Sequence, residues 1–412
     1  MKPLSMFAEN KVTFKKIFII FIIGLILRLS YVIFVPQIDV KIGDSDRYST
    51  LGRNIVNHGK YMVDGVKPDI YWAPGYPFFI SFIYKLFGIN NTGIRIVQAV
   101  LSSLVIIFIY LICAKVFNKR IGMISSLIVS IYPGFIGYSG LVLPQILASF
   151  LLTLFILLIV KFNLKIRIDF ILGLIAGYLC LVRSEFVLFM PILFLIIAKN
   201  GQKPKHLIII FIIMCSIISI WSMRNYKAFG KFVLISTHYG DTLWISTWKE
   251  EWLEWQEKEP FISLTEGLNQ IDSSVVLFKA GINNIKEYPF VYLKMCAKRL
   301  YRFWLTGHSN VFYFMADSLK NYIIKKEYFI ALLKIVMLFF NMGIIIFGFF
   351  GVKLAYRNVK NNNLLHYLLM PMLFLIILHF FTFATPRYSI PIMPFVIVFA
   401  SYAMAYKYHD NV

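Results

Sequence analysis

The stretch IFIIFIIGLILRLSYVIFVP, residues 17–36, is followed a few residues later by GDSDRY, residues 43–48. The first stretch is apolar and long enough to cross a bilayer, because about 20 helical residues span roughly 30 Å of hydrocarbon. The second places two carboxylates and an arginine just beyond that span. Ionisable groups beside hydrocarbon are costly and often functional. Together the two stretches predict a membrane protein with a polar site at the membrane boundary.

The composition agrees with this class. Of the 412 residues, 59% are hydrophobic and only 15% are charged, which excludes an ordinary soluble domain. We therefore predict an all-α polytopic membrane protein of one domain, residues 1–412, with about ten transmembrane helices. The predicted spans are residues 17–36, 95–117, 121–139, 143–162, 168–182, 186–198, 207–223, 329–352, 364–384 and 389–406. A tight hairpin at Arg183-Ser184-Glu185 is predicted between the fifth span and the sixth.

The formal net charge is +22, and its distribution indicates topology instead of nucleic-acid binding. Lysines and arginines cluster on the short connections of one side, as at Lys119-Arg120 and Lys161. Because cytoplasmic connections carry this excess, both termini are predicted to be cytoplasmic in a multi-pass protein of the cell membrane. Two long loops, residues 37–94 and 224–328, then lie on the outer face, and a site in either loop would lie there too.

Both outer loops contain patterns typical of short interfacial helices. In the first loop an apolar face follows Asp44, a candidate N-cap, and Gly59 can end the helix. In the second loop, residues 275–304 have the pattern of a helix broken near Tyr288-Pro289. Four tryptophans of this loop are candidate stacking surfaces for an acceptor, or they pack onto the membrane: Trp244, Trp248, Trp252 and Trp255.

The acidic segment of the first loop is the candidate site. Capping alone explains an isolated Asp44, since an N-cap is worth about 1 kcal/mol. It does not explain Asp46 and Arg47 beside it, or the aromatic turn Trp72-Ala73-Pro74-Gly75-Tyr76-Pro77 later in the same loop. These residues predict a polar site walled by aromatic rings, where a lipid-linked anionic substrate would present its head group.

Four motifs in order along the chain resemble a known family. They are Asp44-x-x-x-Tyr48-x-x-Leu51-Gly52-Arg53-Asn54 with Pro74-Gly75-Tyr76-Pro77, then Trp221-Ser222-Met223-Arg224-Asn225-Tyr226, then Tyr288-Pro289 with Lys298-Arg299-Leu300-Tyr301-Arg302-Phe303-Trp304, and last Pro386-Arg387-Tyr388-Ser389-Ile390-Pro391. The chain is similar to GT-C membrane glycosyltransferases, in the dolichyl-phosphate-mannose-protein mannosyltransferase-like branch of the glycosyltransferase family 39 type. This branch includes the bacterial aminoarabinose transferase.

The resemblance implies transfer of a sugar from a polyprenyl-phosphate carrier to an acceptor hydroxyl of a glycan, lipid or protein, with inversion at the anomeric carbon. It implies that Asp44 is the general base and that Asp44, Arg224 and Arg387 converge at the outer boundary. The implied phosphate ligands are Arg47, Arg224, Arg387 and Tyr388. The implied pocket residues are Asp46, Trp72, Tyr76, Gln145 and His238.

The chain departs from that branch at two positions, which limits what the resemblance implies about the substrate and about a metal site. Trp72-Ala73-Pro74 stands where the aminoarabinose transferases carry a phosphate-binding lysine, so their substrate is not implied. Gln145 stands where many relatives have an acid, and an amide is no base and a weak metal ligand. Asp44 and Asp46 are the remaining candidate ligands for a divalent metal ion, and no other cofactor is indicated.

Other functions remain open from the sequence. A lipid-linked glycan polymerase or ligase would use the same surface chemistry and carrier. A secondary transporter would need ionisable residues near the middle of its spans and matched broken helices, whereas the acids here lie mainly outside the spans. A non-catalytic membrane scaffold would leave the ordered loop motifs unexplained.

Overall fold

The computed structural model describes residues 2–35, 43–162, 164–247, 263–304, 308–359 and 363–406, and is helical throughout apart from one isolated bridge, Met62 with Pro68. The amino-terminal helices are α1 (Lys2–Phe34), α2 (Asp44–His58), α3 (Gly75–Phe87), α4 (Asn91–Val116), α5 (Lys119–Ile131) and α6 (Pro133–Ser139). The central helices are α7 (Gln145–Lys161), α8 (Ile166–Val182), α9 (Phe186–Lys199), α10 (Pro204–Phe229) and α11 (Tyr239–Thr247). The carboxy-terminal helices are α12 (Gln270–Glu287), α13 (Pro289–Trp304), α14 (Leu319–Ile324), α15 (Tyr328–Asn358), α16 (Asn363–Phe381) and α17 (Met393–Ala405).

Each of the ten predicted apolar runs forms a helix over most of its described residues. By length and composition, 6 described helices can cross a membrane, and the bent pair α5 and α6 raises the number to 7. The pair turns by 47° at Tyr132-Pro133, where proline lacks the amide hydrogen that would continue the helix. Helices α7, α8 and α9 have only 14 to 17 residues. The ten-span count stays a prediction.

The two predicted outer loops contain, in their described residues, the helices that the sequence indicates, with one correction. Helix α2 ends at Gly59, whose φ of 65° is the left-handed C-cap conformation. Its N-cap, however, is Gly43, and Asp44 is the first helical residue and makes no capping hydrogen bond. The second loop breaks between α12 and α13 as predicted, at Tyr288. Trp248, Trp252 and Trp255 lie outside the described residues.

A buried arginine joins the first span to its neighbours. Arg28 of α1 is fully buried and donates to the Ser102 hydroxyl of α4 at 2.8 Å. It also donates to the carbonyls of Gly24, Val129 and Ser130. These four acceptors satisfy all three guanidinium nitrogens, so the charge inside the apolar bundle is fully hydrogen-bonded.

Helix α3 reaches the bundle through a glycine. Tyr178 of α8 donates to the Gly75 carbonyl at 2.9 Å. A Cβ on Gly75 would lie 2.5 Å from the Val182 nitrogen and 2.6 Å from the Leu181 carbonyl carbon. Backbone cannot move aside as a side-chain tip can, so only glycine allows this approach. The contact fixes the aromatic turn before α3 against the end of α8.

We expect Gly75→Ala to destabilise the protein by roughly 1–3 kcal/mol, the usual cost of overpacking. Thermal unfolding in detergent would measure it. Gly343→Ala in α15 is the matched control, because nothing lies within 4 Å of its added Cβ and alanine is the better helix former by about 1 kcal/mol. Equal stability of the two variants would contradict the tight contact at Gly75.

Candidate active site

Two residues from opposite ends of the chain form an ion pair. Arg387 Nη1 lies 2.7 Å from Asp44 Oδ2, and about a quarter of each side chain is exposed, 25% and 27%. Asp44 begins α2, and Arg387 lies in the short 3-10 segment Pro386–Ile392 that leads into α17. The first outer loop and the last apolar hairpin therefore meet at a carboxylate and a guanidinium.

Aromatic rings line this pair. The buried Tyr48 ring lies 5.0 Å from Trp72 and 5.2 Å from Tyr76, centroid to centroid. Tyr48 is close enough to Asp44 and Arg387 for both charges to act on its hydroxyl, and burial is the main reason that its pKa is raised. Tyr76 is fully buried and donates to Gln98 Oε1 at 2.7 Å. Trp72 and Tyr76, both predicted as pocket residues, thus lie on one aromatic wall.

His238 completes the wall. Its ring stacks on Trp72 at 5.1 Å with an interplanar angle of 28°, and lies 4.8 Å from Tyr71. Removal from water lowers the pKa of His238 to about 4; Asp44 opposes this shift and Arg387 adds to it. His238 is therefore neutral at pH 7. Its Nδ1 has no hydrogen-bond partner among the described residues.

A hydrogen-bond network holds the turn that carries Trp72. Asp69 Oδ1 accepts from the Tyr71 amide at 3.0 Å, and Asp69 Oδ2 accepts from Gln270 Nε2 of α12 at 3.0 Å. Gln270 Oε1 in turn accepts from the Ile70 amide. The second outer loop thereby fixes the backbone of the first.

Arg224 belongs to this network. Its Nη1 donates to the Asp69 carbonyl at 2.8 Å and its Nη2 to the Tyr61 carbonyl at 2.9 Å. Its guanidinium also lies 4.7 Å from the Trp221 ring centroid. These contacts anchor the first loop to α10, while the contact with Asp44 is made by Arg387. The phosphate role of Arg224 stays a prediction.

The remaining predicted residues lie at different depths. Asp46 and Arg47 are exposed on the first turn of α2. Gln145 is buried at the start of α7, which packs against the 3-10 segment of Arg387. Tyr388 lies beside Arg387, whose guanidinium carbon is 5.2 Å from the Tyr388 ring centroid.

Arg183 and His379 are neighbours of Tyr388 that we did not predict as site residues. The Arg183 guanidinium carbon lies 4.8 Å from the Tyr388 centroid, and Arg183 Nε lies 2.5 Å from Glu185 Oε1. The His379 ring stacks on Tyr388 at 4.5 Å. The sequence contains a signal for Arg183. Its short turn is predicted to lie on the outer face, where the positive-inside rule disfavours an arginine.

Buried polar atoms without a partner concentrate here. Such atoms are rare, because nearly all buried donors and acceptors are hydrogen-bonded. Their concentration marks a site shaped for a polar ligand. Among the described residues of this region they include Trp72 Nε1, Gln145 Oε1, Arg183 Nη1, His238 Nδ1, His379 Nε2 and Arg387 Nε.

Part of the sequence around this site also matches a known protein family. Residues 67–221 match the family described as dolichyl-phosphate-mannose-protein mannosyltransferase. The matched segment includes the Trp72 turn, Gln145 and Arg183, so the resemblance predicted from the motifs is confirmed. No curated protein sequence matches the chain.

Two oligosaccharyltransferase structures share the fold of this chain. The Archaeoglobus fulgidus oligosaccharyltransferase in its apo form matches with a TM-score of 0.57 and 16% identity, over 97% of this chain and 51% of that one. AglB from the same organism, in complex with an inhibitory peptide and a dolichol-phosphate, matches with a TM-score of 0.57 and 15% identity, over 98% of this chain and 51% of that one. ArnT from Cupriavidus metallidurans bound to undecaprenyl phosphate has a TM-score of 0.44 and 10% identity, over 97% of this chain and 77% of that one.

This chain spans about half the length of the oligosaccharyltransferase structures that it matches. At these identities the likeness concerns the fold. It confirms the predicted fold class, an all-α membrane protein of the GT-C type.

A metal site receives little support from the side chains. Within the described ranges, no group of three or more histidine, cysteine, aspartate or glutamate residues is arranged to hold an ion. Asp44 is engaged by Arg387 and Asp46 is exposed.

We expect His238 to make folding sensitive to acid. Its pKa is lowered to about 4 in the folded protein, so the unfolded chain binds the proton first as pH falls below about 6.5. Stability is then full above pH 6.5 and falls by roughly 1 kcal/mol per pH unit down to about pH 4. Unfolding midpoints of wild type and His238→Gln would be measured at pH 7 and pH 5. We expect the midpoint of the variant, relative to that of wild type, to be higher at pH 5 than at pH 7. A difference independent of pH would contradict a buried neutral imidazole.

Proposed function

We propose that this protein is a membrane glycosyltransferase that moves a sugar from a polyprenyl-phosphate-linked donor to an acceptor hydroxyl, with Asp44 as general base. The Asp44–Arg387 pair inside an aromatic wall is the observation that carries the proposal. The family match and the GT-C fold support it. One of the matched proteins is described in complex with a dolichol-phosphate, a prenyl phosphate of the proposed class.

The proposed reaction is a single displacement. The acceptor oxygen attacks the anomeric carbon, the bond from that carbon to the phosphate oxygen breaks, and its electron pair leaves with the prenyl phosphate. The acceptor proton passes to Asp44. Attack opposite the leaving group inverts the anomeric centre. A carboxylate suits the proton transfer, because the phosphate can leave without strong protonation.

In the proposed reaction, proton transfer to Asp44 changes the charge that faces Arg387. Before reaction the Asp44 carboxylate balances Arg387. When Asp44 takes the acceptor proton, it loses its charge, and the guanidinium charge becomes fully available to the phosphate that develops negative charge. Charge-assisted bonds from arginine to phosphate oxygens are the strong ones, and a pocket poor in water strengthens them.

The surrounding residues take supporting roles in the proposal. Trp72 and Tyr76 provide the wall against which the sugar packs, and Gln145 and His238 offer unpaired polar atoms to its hydroxyls. Tyr388, Arg47 and Arg224 remain candidate phosphate ligands, and Asp46 a candidate pocket acid. A metal-assisted variant would use Asp44 and Asp46 as the only protein ligands that we can name. A matched oligosaccharyltransferase is described in complex with Zn and sulfate.

We propose that the site faces the outside of the cell membrane, with both termini in the cytoplasm. The acceptor then meets the donor on that face. The positive charges on the short connections support this orientation.

Cysteine labelling tests the orientation. Val66 in the first outer loop and Lys203 before α10 are both exposed. We expect a membrane-impermeant maleimide to label Val66→Cys in intact cells and Lys203→Cys only after permeabilisation. The unmodified chain is the control, since Cys113, Cys180 and Cys296 are buried and Cys215 is partly buried. The reverse pattern would place the site on the cytoplasmic face.

Replacing the base tests the chemistry. We expect Asp44→Asn to lower sugar transfer by about 100-fold or more, the usual contribution of a positioned general base. Consumption of donor from a panel of prenyl-phosphate sugars would be followed with the purified protein. Asp64→Asn is the matched control, because this exposed acid of the same loop accepts hydrogen bonds from the neighbouring amides of Val66 and Lys67. Full activity of Asp44→Asn would remove Asp44 as the base.

A further inference from the structure

We propose that Arg183 is a second anion-binding residue of the donor site, which contacts the carrier phosphate together with Arg387. This inference rests on the proposed function and adds a residue that neither the motifs nor the comparisons assign. Arg183 is the residue that follows α8, next to the contact that Gly75 makes with Leu181 and Val182.

The position of Arg183 favours this role. Its side chain is only 6% exposed, yet its guanidinium lies 4.8 Å from the centroid of the same Tyr388 ring that Arg387 approaches at 5.2 Å. The hydroxyl of Tyr48 lies within the electrostatic influence of both arginines and of Asp44. Two guanidinium groups therefore flank one small polar region, and one of them is already bound to the candidate base.

The unused donor of Arg183 distinguishes it from the buried Arg28. Each of the three guanidinium nitrogens of Arg28 has an acceptor. Arg183 pairs with Glu185 through Nε, but its buried Nη1 has no hydrogen-bond partner in the described part of the chain. Leaving such a donor unpaired costs about 1–3 kcal/mol. A phosphate oxygen would satisfy it.

The two arginines are arranged alike. Each is paired with one carboxylate, Arg387 with Asp44 and Arg183 with Glu185. Each also keeps a buried guanidinium nitrogen without a partner, Nε in Arg387 and Nη1 in Arg183. Because guanidinium groups present several N–H donors in a rigid plane, one edge can hold the carboxylate while another contacts an anion. The leaving prenyl phosphate carries more negative charge than the donor, so two arginines stabilise it better than one.

A competing explanation is purely structural. Arg183 follows a helix C-terminus, where a cation is favourable, and its pair with Glu185 stabilises the turn before α9. A structural arginine would affect every ligand of the pocket equally. An anion-binding arginine would affect only ligands that carry the phosphate, and this difference defines the experiment.

The test compares binding of undecaprenyl phosphate with binding of the uncharged prenol of the same length, using the full chain in lipid nanodiscs and its tryptophan fluorescence. Wild type should prefer the phosphate. We expect Arg183→Gln to reduce that preference by about 10-fold or more, as expected for a lost charged hydrogen bond. Arg183→Lys, which keeps the charge without the planar fork, should retain part of it. Arg357→Gln, which removes an exposed arginine at the far end of α15, should change nothing.

The outcomes separate the two proposals. If wild type shows no preference for the phosphate, the proposed function fails. If wild type prefers it, Arg387→Gln loses the preference and Arg183→Gln keeps it, the role of Arg183 is overturned and the proposed function stands. Equal weakening of phosphate and prenol by Arg183→Gln also overturns it. If Arg183→Gln does not fold, Arg183→Lys decides, because an unchanged preference in a variant without the guanidinium contradicts a phosphate contact through Arg183 Nη1.

Discussion

The architecture of the site depends on the ion pair between Asp44 and Arg387. A partly exposed pair of this kind contributes little to stability, typically about 0–1 kcal/mol. Its importance lies in what it joins. Asp44 begins α2 and Arg387 lies just before α17, so the pair joins two distant parts of the chain beside the aromatic wall. The two opposite charges also balance each other.

Two rigid contacts hold the first loop in place. Gly75 lets the α3 end of the first loop touch the backbone of α8, and Arg224 binds the carbonyls of Tyr61 and Asp69 from α10. Gln270 of the second loop completes the support through Asp69. The aromatic wall is therefore built on backbone contacts from several helices. Such a foundation suits a site whose reacting groups must hold their geometry against a mobile lipid chain.

Much of this fold follows from the sequence, because apolar runs and membrane thickness leave few alternatives. Each of the ten runs forms a helix over most of its described residues, and the C-terminal end of α2 and the break before α13 follow from Gly59 and Pro289. The site was only partly predictable. Asp44 and Arg387 stand out as charges placed where packing does not need them. The partners of Arg224 and Arg183 depend on how distant segments meet, and a local pattern carries no information about a carbonyl on another loop. Asp44 itself is the first residue of α2 instead of its N-cap, and its carboxylate pairs with Arg387.

The buried Arg28 has a consequence for assembly in the membrane. The acceptors of its side chain outside α1 come from α4 and α5, which follow far later in the chain. When α1 enters the bilayer alone, it exposes a cation near hydrocarbon, at a cost of about 2.5–3.5 kcal/mol near a helix centre. That cost disappears only when α4 and α5 arrive and surround the guanidinium. The first span therefore reaches its final environment only after α4 and α5 have inserted beside it.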